Sequence, residues 1–197
     1  MASTILVDKI DPQSGTALEL GSSGDTLTVP SGATLSIASG ATITNSGTAT
    51  GLGGNNTPSF MTQLSGNQSV STGSWTKIVF NSEDWDTDSA FDTSTGRFTV
   101  PSGAAGKYTF YTSVAVDSMT ADQNVYVAFY KNGSHAQSGN ATPSVSTTIS
   151  SSISASFDLA VADYIEVYSL QSSGGSKNYI GNSTTECLFY GFKQIGA

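Results

Sequence analysis

Val125–Gly133 reads VYVAFYKNG. Val125, Val127 and Phe129 fall on one side of an extended chain and Tyr126 and Tyr130 on the other, the two-residue period of a strand with one face in a core. Asn132-Gly133 follows at once. Both residues tolerate the positive φ of a two-residue hairpin turn, so the chain reverses here and an antiparallel neighbour is expected. The same alternation recurs outward in both directions. Upstream, Lys107–Val116 (KYTFYTSVAV) puts Tyr108, Phe110, Val114 and Val116 on one face, Trp75–Phe80 (WTKIVF) is apolar at alternate positions, and Phe91–Val100 (FDTSTGRFTV) holds a turn at Thr93–Gly96 before a strand. Downstream, Ile149, Ile153, Ala155, Phe157 and Leu159 alternate through a serine-rich strand, and Tyr164–Leu170 and Glu186–Ile195 complete the set. No long stretch has the helical period. From Pro58 onward the chain reads as an antiparallel β-sandwich of about eight to ten strands.

Composition agrees with this and narrows function. Only 11% of the 197 residues are charged, and the net charge is -8. Seven Lys and Arg, scattered along the chain, make no basic footprint, so nucleic acid is not an expected partner. No apolar run is long enough to insert in a membrane. MASTILVDKI lacks the basic n-region and apolar run of a secretory signal, so the expected route is cytoplasmic synthesis without a leader. Cys187 is the only cysteine; it excludes a disulfide framework and, at an apolar-alternating position, reads as a buried core thiol.

The N-terminal part has a different grammar. Gly24–Ser46, GDTLTVPSGATLSIASGATITNS, repeats one eight-residue unit three times. Gly24, Gly32 and Gly40 open the copies, and Leu27, Val29, Leu35, Ile37 and Ile43 recur at strand spacing. A unit with two sizeable apolar side chains cannot build its own core, and identical copies are the nearest source of partners. Residues 21–47 therefore read as a fibrous β-shaft inside a homo-oligomer; a flexible Gly/Ser/Thr linker is the competing reading, but a linker has no need of aliphatics in register. Before it, residues 1–20 read as a hairpin with Ile5, Val7 and Ile10 on one arm, a turn at Asp11–Gly15 and Leu18 and Leu20 on the return, either an anchor that docks on another protein or the first layer of the shaft. Residues 48–57, with three glycines, form a neck, and 58–197 are the head.

The inventory for catalysis is thin. His135 is the only histidine and follows a turn, where solvent exposure is expected. No nucleophile elbow, phosphate loop or zinc spacing occurs. Glu83, Asp84, Asp86 and Asp88 form the one concentrated acidic patch; oxygen ligands at alternate positions suit Ca²⁺, and a solvated loop is the plainer reading. The tyrosines at 126, 130, 164, 168, 179 and 190 are a second candidate set, for sugar or protein contact.

Asp92–Phe110, DTSTGRFTVPSGAAGKYTF, carries a resemblance. Asp92, Thr95, Gly96, Phe98, Pro101, Gly106, Tyr108 and Phe110 are spaced as in the globular heads of the complement one-q family and its tumour-necrosis-factor-like relatives. Leu159, Val161, Asp163 and Ile165 and a closing Tyr190-Gly191-Phe192 are similar to that family's later blocks, with Ala162 where it usually has glycine. The resemblance implies a ten-stranded jelly roll forming a homotrimer on a stalk. It also implies that Phe98, Tyr108, Phe110, Phe129, Phe157, Tyr190 and Phe192 supply the head core or subunit contacts, and that most of the six tyrosines are subunit contacts too. ILVDKI followed by GDTLTVPSGATL is similar to stalk openings of marine bacteriophage tail-fibre and capsid-fibre proteins. No collagen repeat is present, a departure from the complement relatives.

Three functional classes follow. The first is a non-enzymatic virion fibre, tied to other virion proteins by its N-terminus and touching a host-surface receptor through polar loops at Ser82–Ala90, Ser118–Asn124, Asn132–Pro143 and Gln171–Asn178, with Trp85, Asn132, His135 and Tyr179 as candidate contacts. The second is a capsid decoration or cement protein. The third, a depolymerase, is disfavoured by the sparse titratable groups.

Overall fold

The computed structural model describes residues 20, 23–44, 56–181 and 186–195. The chain divides into two compact units, Met1–Thr50 and Gly51–Ala197.

In the first unit the eight-residue period is a period of turns. Ser23-Gly24, Ser31-Gly32 and Ser39-Gly40 each reverse the chain. The three glycines have φ of 92°, 83° and 84°, the left-handed value needed at the third position of a type II turn, which side chains with a Cβ resist. Ala33 N donates to Pro30 O and Ala41 N to Ala38 O, both at 3.0 Å. The segments between turns form no ladder within the chain among the described residues. Leu27, Val29, Leu35, Ile37 and Ile43 are 69%, 45%, 65%, 45% and 58% exposed. Ile5, Val7, Ile10 and Leu18 lie outside the described residues, and Leu20 is exposed.

The second unit is all β, with thirteen strands among the described residues: β1 (Ser59–Gln63), β2 (Gln68–Val70), β3 (Thr76–Lys77), β4 (Ser82–Asp86), β5 (Phe91–Asp92), β6 (Arg97–Thr99), β7 (Gly106–Met119), β8 (Val125–Lys131), β9 (Ser134–Ala141), β10 (Thr147–Leu159), β11 (Tyr164–Gln171), β12 (Lys177–Tyr179) and β13 (Leu188–Lys193). One sheet runs β2-β12-β7-β13-β1-β4 with β10 also on β7; the other runs β5-β6-β11-β8-β9 with β3 also on β11. Every strand pairing is antiparallel. This is the antiparallel sandwich expected from the alternation, in the jelly-roll form that the resemblance implied.

Alternation decides which side chains fill the space between the sheets. Phe60 sits among Phe91 and Phe189, each 4.9 Å away between ring centroids, and Phe98 at 5.1 Å. Phe98 continues to Phe110 at 5.3 Å and Phe110 to Phe129 at 6.2 Å. Tyr108, Phe98, Phe110 and Phe129 are fully buried, each such ring stabilising the fold by about 2–3 kcal/mol. Phe157 packs half-buried against this core, whereas Tyr190 and Phe192 point out of the sandwich on alternate positions of β13. Gly191, between them, is a glycine of necessity: a Cβ there would lie 2.3 Å from Phe110 Cδ1. Cys187 is 1% exposed, its sulfur accepts a 3.1 Å bond from Ala115 N, and burial pushes its thiol up to about 11.

Two expected loops are strands. Ser134–Ala141 is β9, paired along its length with β8, and Ser82–Asp86 is β4, paired with β1. Both are edge strands, and an edge strand exposed on both faces needs no apolar alternation to announce it.

Candidate binding surface of the head

The sandwich offers two outer faces and two ends. On the seven-stranded sheet, register places Trp85 beside Met61, Met61 beside Tyr190, Tyr190 beside Tyr111 and Tyr111 beside Ser154. The rings of Tyr111 and Tyr190 stack at 5.2 Å, and Trp85 is 48% exposed. The neighbouring rows, Ser59–Phe192–Thr109–Ser156 and Gln63–Leu188–Ser113–Ser152, are also uncharged. An aromatic and aliphatic stripe in a field of hydroxyls, with charge only at its border where Asp84 meets Gln63, has the composition of a protein contact rather than of a solvated sheet.

The six-stranded sheet has a different outer face. Glu166, only 2% exposed, takes Arg97 at 2.9 Å and Lys77 at 3.1 Å on the same carboxylate oxygen. Arg97 also lies 3.9 Å over the Tyr164 ring. Beside this charged knot Tyr130 stacks on Tyr168 at 4.0 Å. Trp75 bridges Tyr126, Tyr130 and His135 at 6.3, 6.2 and 5.4 Å. Because Ala128 falls between Tyr126 and Tyr130 on β8, the indole has room to lie there, and Ala128 is fully buried. His135 is exposed, as its place after a turn suggested.

The six tyrosines therefore do not share a face. Tyr126, Tyr130, Tyr164 and Tyr168 belong to the six-stranded sheet and Tyr190 to the other; the exposed-loop expectation for Tyr179 is corrected. It is 0% exposed on β12, its hydroxyl 2.8 Å from Ser169 Oγ, and burial pushes it up to about 12; it is a core residue, not an exposed loop side chain. Asn132 is committed to the hairpin: its amide donates to Asp163 Oδ1 at 2.8 Å and accepts from Tyr164 N at 2.9 Å.

The acidic stretch folds onto itself. Asp86 accepts from the backbone of Phe91 at 2.7 Å and Asp88 at 3.3 Å, Asp84 accepts from Gln63 Nε2 at 3.1 Å, and Asp88 accepts from the Thr87 hydroxyl at 3.1 Å. Glu83 lies exposed on β4, opposite Thr62. Among the described residues no three His, Cys, Asp or Glu side chains group to hold a metal.

The ends differ as well. At the end where the chain leaves Pro58 for β1, Lys193 N donates to Pro58 O and Thr87 N to Ser59 O, and the β8–β9 hairpin closes on Asp163. So the loop that follows β4, Thr87–Ala90, and the Asn132 turn face that way. The opposite end gathers the β7–β8, β9–β10 and β11–β12 loops, which are hydrogen-bonded to one another. Asp122 N donates to Pro143 O at 3.2 Å, Thr142 Oγ1 to Asn124 Oδ1 at 2.6 Å, Asn124 N to Ser172 Oγ at 2.7 Å, and Gln123 Nε2 to Ser173 O at 3.3 Å. Three connections tied in this way form a preorganised rim.

The fold is that of the complement and tumour-necrosis-factor heads. The globular domain of zebrafish complement 1qA is 18% identical, with a TM-score of 0.50, covering 69% of this chain and 96% of that one. Eiger TNF from S. frugiperda matches at 13% identity and a TM-score of 0.52, over 71% and 93% of the two chains. Murine APRIL matches at 13% and 0.51, over 69% and 99%. No curated protein matches the chain. The C1q domain family matches residues 59–193, and the chain belongs to it. Domains of this kind form homotrimers and are generally non-enzymatic binding modules.

Proposed function

We propose that the protein is a homotrimeric fibre whose N-terminal part is an attachment arm and shaft and whose C1q head binds a host surface. The observation that carries this is the period-eight repeat: five aliphatic side chains at strand spacing, all largely exposed on one chain, joined to a head from a trimer-forming family. Three copies side by side give the repeat both the apolar burial and the strand partners that its own length cannot supply. The uncharged stripe of Trp85, Met61, Tyr190 and Tyr111 gives the head its matching subunit contact. The rim opposite Pro58 then faces outward three times over, so weak individual sites combine into avidity.

The likeness of the N-terminal sequence to bacteriophage stalk openings supports a virion as the place of work, with residues 1–20 docking on another particle protein. Sedimentation of the intact chain tests the assembly: a trimer is expected, and a compact stable monomer overturns the reading. Immunolabelling of the head on intact particles tests the role. Label at fibre tips supports adhesion, and label spread evenly over the shell replaces it with capsid decoration.

A further inference from the structure

At the rim opposite Pro58, between the end of β7 and the start of β10, lies a concavity of about 300 Å³ lined by Asp117, Ser118, Thr120, Ser146, Thr147 and Thr148. Five of these six side chains are hydroxyls and the sixth is a carboxylate. Two irregularities open it. Ser118 stands at φ 55°, and the β10–β7 register shifts between Thr147 and Ile149, which turns successive side chains out of the regular alternation. Lys177 donates its ammonium to the Ser118 carbonyl, fixing the wall from behind.

The hydrogen-bonding capacity of this wall is largely unspent. Thr148 Oγ1 donates to Asp117 Oδ1 at 3.3 Å. Among the described residues, the hydroxyls of Ser118, Thr120, Ser146 and Thr147 and the second oxygen of Asp117 bond to no protein group. A hydroxyl both donates and accepts, and a carboxylate accepts two bonds from adjacent donors.

Resting on the adhesive reading above, we infer that this concavity is a binding site for a neutral sugar ring of a surface glycan. A pyranose presents hydroxyls that donate and accept in turn, with a diol for the carboxylate. The volume is at the small end of ligand pockets, one ring rather than an extended ligand. The carboxylate wall selects against sialic, uronic, sulfated and phosphorylated sugars, whose charge it would repel at short range. The hydroxyl lining gives a purely apolar ligand nothing to replace the water it displaces. A single carboxylate is too little for a divalent cation, which takes several oxygen ligands with more charge among them.

Saturation-transfer NMR of the intact protein with methyl glycosides of neutral hexoses and N-acetylhexosamines tests the site. Binding is expected, weakened about tenfold or more in Asp117→Asn, where one charged hydrogen bond is lost, and in Thr147→Val, which keeps the strand shape and removes a hydroxyl. Both variants are expected to melt with the parent. Equal binding by parent and both variants overturns the site, as does binding of none of the neutral glycosides or a preference for sialylated or sulfated ones. A parallel pull-down of host envelope separates the two readings. If both variants still bind envelope like the parent, the concavity is not the contact although adhesion stands; if the parent binds no envelope, adhesion itself fails, whatever the glycosides show. Envelope binding that survives deglycosylation of the target overturns the sugar in favour of a protein partner.

Discussion

Asp163 is the residue on which the Pro58 end of the head is pinned. Its carboxylate accepts from Asn132 Nδ2 at 2.8 Å, from Ala160 N at 3.0 Å and from Lys131 Nζ at 3.0 Å. These bonds, the Asn132 amide first among them, hold its pKa down at about 2. An unfolded aspartate titrates near 3.9. The ionised group therefore contributes stability that is complete above the unfolded value and is lost as pH falls from about 4 through 2. Asp163→Asn is expected to lower the melting temperature by roughly 2–4 °C at neutral pH. That gap should close when both proteins are melted near pH 2, and a gap independent of pH would show that the charge is irrelevant. Gly191 makes a second case. Its Cβ would meet the Phe110 ring from two atoms, at 2.3 and 2.7 Å, in a core with no slack. Gly191→Ala is expected to cost about 1–3 kcal/mol in urea unfolding, and an unchanged midpoint would mean that the ring moves aside freely.

At the scale of elements, strands that bury one face were legible and strands that bury neither were not. β7, β8 and β11 alternate because each sits inside a sheet, with large side chains driven between the layers. β9, SHAQSGNA, has no aliphatic larger than alanine; only the turn before it and its pairing with β8 make it a strand. β4 was hidden by its carboxylates, of which Asp86 caps the following turn and Asp84 accepts from Gln63 on β1. β2 and β12 are three residues each, too short for any period to register. Tyr179 was misplaced for that reason: the residues before it are polar, and burial comes from β2 and β7 on either side. The rim concavity was equally invisible, since its lining comes from two segments nearly thirty residues apart and from a register shift no local pattern marks. The repeat was legible in its period but not in its state, because the turns are local while the ladders are not. Leu35→Asn with Ile37→Asn removes two of the five aliphatics. It is expected to leave the head's melting transition in place while making the N-terminal part sensitive to proteolysis; unchanged protease resistance would return the segment to a linker.

For the whole molecule, the change of sequence grammar at residues 48–57 falls where the chain divides into two units, Met1–Thr50 and Gly51–Ala197, and the two outer faces of the head differ in kind. The seven-stranded face offers stacked Tyr111 and Tyr190 among hydroxyls, whereas the six-stranded face has satisfied its own charges through Glu166. Tyr111→Glu with Tyr190→Glu places like charges directly opposite each other on the first face. The double variant is expected to keep the β signature in circular dichroism and to sediment as a monomer when the head is expressed alone. A head that stays trimeric would move the contact to the Trp75 face.

β13 leaves the sheet beside Pro58, with Lys193 N on the Pro58 carbonyl, so the last described residues and the first of the head are neighbours. A reporter enzyme or fluorophore fused after residue 197 would hang on the same side as the incoming chain, out of the way of the three tied loops. Peptide cargo meant for display belongs instead between Pro143 and Ser146, where both flanks are held and the tip looks outward.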